Sequence, residues 1–123
     1  QLLQELKDRG YALAIVSNKI DSAVQDLNHK YFPQVDVAIG DRENLRRKPE
    51  PDSVNLALDV LNKTKQEAIY VGDSDVDLQT AQNAGLPCIS VLWGFRDKEF
   101  LIEHGATVFV KKPMEIIDVL LQM

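Results

Sequence analysis

Short apolar runs alternate with amphipathic stretches along this chain. In residues 1–9, Leu2, Leu3 and Leu6 share one helical face, and Gly10 ends the pattern. Residues 11–16 are almost wholly apolar, as in a strand covered on both faces, and deliver Ser17, Asn18 and Lys19 to its carboxyl end. A second helix is expected over 21–30, with Val24 and Leu27 inward, broken by Phe32-Pro33. A short strand follows over 35–39, placed near an edge because Asp36 interrupts it. Pro51 or Asp52 opens a helix to Leu61 whose inner stripe is Val54, Ala57, Leu58 and Leu61. Later strands are expected at 68–71, 88–92 and 107–110. Later helices are expected at 78–84, closed by Gly85, at 97–104 with Asp97 as cap, and at 114–121. Strands alternating with helices predict one α/β domain over residues 1–123, a three-layer Rossmann-like core with a mostly parallel sheet.

Composition narrows the function classes. The net charge of −5 argues against a nucleic-acid partner, and no apolar run approaches the roughly 20 residues needed to cross a bilayer. Cys88 is the only cysteine and sits in an apolar run, so it reads as a strand residue in a reducing cytoplasm. His29 and His104 have polar helical neighbours and no metal-ligand spacing, which places them on the surface. The chain opens at Gln1 directly into a helical pattern, without an initiator Met, and reads as a piece of a longer protein.

The candidate chemistry centres on residues 68–85. An apolar strand ends at Gly72, and Asp73, Asp75 and Asp77 follow before a helix. Three acids in five residues repel one another unless donors or a cation offset the charge. Mg²⁺ does so, taking one or two carboxylates together with phosphate oxygens and water. The plainer reading is an acidic first helical turn, since Asp and Ser favour that position. Asp73 is the first candidate for the metal, with Asp77, four residues on, supporting it. Parallel strands open their carboxyl ends on one edge. Ser17 with Asn18, then Lys48, then the acid pair are thus expected at a common phosphate site. There donors and cations would meet the oxygens, and Mg²⁺ would neutralise charge. Singly, Ser17 could be only a helix cap and Lys48 only a solvated charge.

Val16-Ser17-Asn18, Arg47-Lys48-Pro49-Glu50-Pro51, and residues 70–77 followed by Asn83-Ala84-Gly85 resemble three motifs of haloacid-dehalogenase-like phosphatases. They correspond to the second, third and fourth motifs. Trp93-Gly94-Phe95-Arg96 and Gly105-Ala106 make the likeness greatest to the phosphoglycolate phosphatase branch. The resemblance implies a Mg²⁺-dependent hydrolase of a small phosphorylated metabolite. Ser17 would bond the transferring phosphoryl group, helped by the Asn18 backbone. Lys48 would offset charge, Asp73 would bind Mg²⁺, and Asp77 would steady the metal's surroundings.

The departure from that family is the first motif, an apolar strand ending in Asp-x-Asp whose first Asp forms an aspartyl-phosphate. Nothing before residue 11 supplies it, and Asp73-Ser74-Asp75 comes too late in the order and lacks the following Gly-Thr. The nucleophile-bearing central strand and the cap are therefore expected outside this chain, leaving it inactive alone. The gap between the strands ending at Ser17 and Gly72 is expected to be filled by a fragment of the parent or a second copy. A phosphoacceptor receiver domain is the competing class, but its acids precede its hydroxyl residue and lysine. A phosphosugar mutase or pyrophosphatase of the same superfamily also fits, because the cap selects among them.

Overall fold

The computed structural model describes residues 1–94 and 96–122. Phe95, part of the Trp93–Arg96 turn read from the sequence, lies outside the described residues, as does Met123. The chain divides into two compact units, residues 1–64 and 65–123.

The first unit runs α1 (Leu2–Asp8), β1 (Ala14–Ile20), α2 (Asp21–Tyr31), β2 (Val37–Asp41) and α3 (Asp52–Leu61). β1 and β2 pair in parallel, with Ala14 opposite Val37 and Val16 opposite Ile39. Val24 of α2, Val54 and Ala57 of α3, and Ala38 and Ile39 of β2 are buried. Three sequence expectations need correcting here. The first strand lies further along than 11–16, so Ser17, Asn18 and Lys19 are within it. Leu27 remains 40% exposed, so α2 buries a narrower stripe than the pattern implied. Asp36 does not interrupt a strand. It precedes β2, and its carboxylate accepts from the Leu13 N–H at 2.7 Å and Lys7 Nζ at 2.8 Å.

The second unit opens with a 3-10 turn at Lys65–Glu67. It continues through β3 (Tyr70–Gly72), α4 (Asp75–Ala84), β4 (Cys88–Val91), α5 (Lys98–Glu103), β5 (Val108–Val110) and α6 (Glu115–Leu121). Its three strands form a parallel sheet in the order β3-β4-β5. Ile89 of β4, Leu101 of α5, Val110 of β5 and Ile117 of α6 form its core with Ala81 and Ala84 of α4. Parallel strands joined by helices, in both units, bear out the α/β reading. The helix after the acids begins three residues earlier than expected, so Asp75 and Asp77 lie in its first turn. Asp97 does cap α5, its Oδ1 accepting from the Phe100 N–H at 2.9 Å. No helix among the described residues is long and apolar enough to cross a membrane.

Candidate functional site

In the first unit, the pairing of β1 with β2 is regular to Val16 and resumes at Ile20 opposite Asp41. Four steps along β1 thus match two along β2, and Ser17, Asn18 and Lys19 lie in the irregular segment between. Such an interruption leaves backbone and side chains free of the ladder, which suits a binding segment. Ser17 is half-buried, and its Oγ accepts from the Lys19 N–H at 3.1 Å. The Asn18 side chain reaches the loop that carries Lys48. Its Oδ1 accepts from the Lys48 N–H at 2.8 Å, and its Nδ2 donates to the Lys48 carbonyl at 3.2 Å. Arg47 Nη2 donates to the Asn18 carbonyl at 2.9 Å, and its Nε lies 3.5 Å from Asp41. Arg46 is engaged by Asp52 and Glu50. The structure therefore joins Asn18 to Lys48, thirty residues on, within one unit, with Ser17 beside Asn18 in β1.

In the second unit, Gly72 closes β3 and Ser74 caps α4, accepting from the Asp77 N–H at 3.3 Å. Asp77 is buried and both of its carboxylate oxygens accept hydrogen bonds from protein. Oδ1 takes the Tyr70 hydroxyl at 2.9 Å. Oδ2 takes the Asp73 N–H at 3.0 Å and the Ser74 hydroxyl at 3.2 Å. Asp77 thus shapes the turn rather than projecting from it. Asp75 faces Arg96, its Oδ1 3.8 Å from the guanidinium Nε. Two glycines fit tightly around these acids: a Cβ on Gly72 would overlap the Asp77 side chain, and one on Gly94 would overlap that of Asp73. Burial, with Asp77's charge adding to it, pushes the Cys88 thiol up to about 11, so it stays protonated at neutral pH.

The sequence profile of haloacid dehalogenase-like hydrolases matches residues 1–91. The chain belongs to that family. A phosphoglycolate phosphatase of Rhodobacter capsulatus is 41% identical over 99 residues, 76% of this chain and 43% of its own length. The pyrophosphatase PpaX of Bacillus pumilus is 34% identical over 121 residues, 95% of this chain and 55% of its own. Among solved structures, a provisionally assigned phosphoglycolate phosphatase from Lactobacillus delbrueckii superposes with a TM-score of 0.94 at 41% identity. That match covers 96% of this chain and 50% of the other. The chain spans about half the length of the curated relatives it matches.

Members of this haloacid dehalogenase-like family are expected to hold Mg²⁺, and the donors in the second unit suit a hard cation. Asp73 offers a half-buried carboxylate, with the space beside it kept by Gly94. Among the described residues no group of three or more His, Cys, Asp or Glu side chains could hold a metal. That is compatible with Mg²⁺, which keeps several waters and needs only one or two carboxylates. Tyr70 and Gly94 escaped the sequence reading as parts of this arrangement. A Tyr entering a buried strand three residues before the first acid of the turn was the available signal, since a buried phenol seeks a partner.

Proposed function

We propose that this chain is the larger part of the core of a Mg²⁺-dependent phosphomonoester hydrolase acting on a small phosphorylated metabolite, phosphoglycolate-like in class. The observation that carries this reading is the Asn18–Lys48 clamp, in which the side chain next to Ser17 in β1 holds the backbone of Lys48. Ser17 and the Asn18 backbone would donate to phosphoryl oxygens, and Lys48 would offset their charge. Asp73 would hold Mg²⁺ and Asp77 would keep the Asp73 turn in shape. When bound, the ion supplies charge neutralisation at the phosphate oxygens. The attacking carboxylate, whose oxygen would displace the ester oxygen at phosphorus before water cleaves the aspartyl-phosphate, is assigned to sequence outside residues 1–123. A reducing cytoplasm suits the lone, protonated Cys88.

A pyrophosphatase is the second reading, favoured by the PpaX relative's match to 95% of this chain. The test is turnover. Residues 1–123 alone, given p-nitrophenyl phosphate and Mg²⁺, are expected to be inactive. The longer protein is expected to hydrolyse it and to lose activity in the Asp73→Asn variant. Phosphoglycolate and pyrophosphate, supplied to the longer protein, separate the two readings. Activity of residues 1–123 that vanishes in Asp73→Asn would show that no outside carboxylate is needed.

A further inference from the structure

We infer that Tyr70 is a positioning residue for the Asp73 turn, acting through Asp77; the metal part of this inference rests on the function proposed above. Tyr70 lies in β3 with 8% of its surface exposed, and its hydroxyl donates to Asp77 Oδ1 at 2.9 Å. A phenol at that depth must find an acceptor, and a carboxylate is the stronger kind. The other oxygen of Asp77 receives the Asp73 N–H and the Ser74 hydroxyl. One carboxylate therefore links a strand side chain to the backbone that presents Asp73. With Tyr70 holding one oxygen, the carboxylate plane of Asp77 is fixed from two sides, and Oδ2 stays aimed at the turn. Gly72 allows this closeness, because a Cβ there would overlap the Asp77 side chain. Burial, reinforced by the charge of Asp77, pushes the Tyr70 hydroxyl far up, so it remains a donor across the working pH range.

The Tyr70→Phe variant removes the hydroxyl and keeps the ring. Amide hydrogen exchange, read by NMR on the full chain, is compared among wild type, Tyr70→Phe and Ile89→Val. The last loosens the buried core at Ile89 without removing a bond to Asp77. In Tyr70→Phe the Asp73 amide should exchange faster while the β4 amides stay as in wild type. In Ile89→Val, Asp73 and β4 should change together. The same spectra followed through a Mg²⁺ titration should show binding weakened on the order of tenfold by Tyr70→Phe, the range found when groups behind a metal ligand are lost. If Tyr70→Phe shifts Asp73 and β4 alike, or leaves Asp73 unchanged, Tyr70 is structural only and the inference falls. If wild type shows no Mg²⁺ response that Asp73→Asn removes, the metal reading fails, while the exchange comparison still decides the role of Tyr70.

Discussion

The Asn18 carboxamide pairs with the backbone of Lys48 at both ends, accepting its N–H and donating to its carbonyl. A side chain here does what a neighbouring strand would do, tying a loop thirty residues away to β1.

Asn18→Ala should therefore release the Lys48 segment. The lost bonds and the unpaired backbone groups left behind should cost about 1–3 kcal/mol. Chemical denaturation measures the stability change. Asn18→Asp keeps the acceptor and loses the donor, so its cost should be the smaller of the two. Equal stability of all three proteins would mean that the clamp contributes nothing to the fold.

Asp21 should contribute to acid sensitivity, as should Asp36, Asp52 and Glu115, whose carboxyls are also held low. The Asp21 carboxylate accepts the Gly40 N–H at 2.9 Å and lies 2.9 Å from Arg42 Nε. The Gly40 bond first, then Arg42 and Gln25, hold its carboxyl below the usual range against the opposing effect of burial. The folded state binds this proton less readily than the unfolded state. The stabilisation is thus complete above about pH 4, where a free aspartate has ionised, and fades as pH falls toward the folded value. Asp21→Asn should be less stable than wild type at pH 7, with the gap narrowing as pH falls from about 4 to 2. Thermal melts across that range decide it, and a gap independent of pH would assign the effect to packing.

Much of this was legible in the sequence, for identifiable reasons. Apolar runs of four to six residues marked β4 and β5 nearly to the residue, and Gly85 marked the end of α4, where its φ is +76°. The boundaries of β1 were misplaced because Tyr11–Leu13 are as apolar as a strand, while the pairing that defines β1 extends through polar Ser17–Lys19. Periodicity cannot register a strand whose second half is irregular. In the acidic turn, the metal reading and the helical-turn reading were set against each other. Asp75 and Asp77 lie in the first turn of α4, and Asp77 gives one oxygen to Tyr70 of β3 and the other to the turn. Which oxygen faces which donor depends on side-chain direction, and residue type alone does not encode it.

The sheet edges lead to a prediction about assembly. β1 pairs only with β2, and β3 only with β4, among the described residues. Each therefore presents a second edge on which no further strand is paired among the described residues, and β1 brings the apolar Ile15 and Val16 to its own. A strand from a second copy or from a parent fragment should occupy such an edge. Native mass spectrometry should then find a species heavier than 13.8 kDa that falls to its components on denaturation. A lone 13.8 kDa monomer under native conditions would exclude that partner.

The Tyr70–Asp77 bond spans seven residues that contain a strand end, a glycine, a helix cap and the acid itself. That span works as a ruler with no slack. One residue inserted or deleted between Gly72 and Ser74 would change the reach of this connection by about 3.5 Å and carry Asp77 away from the phenol. Substitutions in this stretch can be graded by chemistry, but a change of length cannot, so natural and engineered variation in length should collect after Gly85 and leave these few residues uncut.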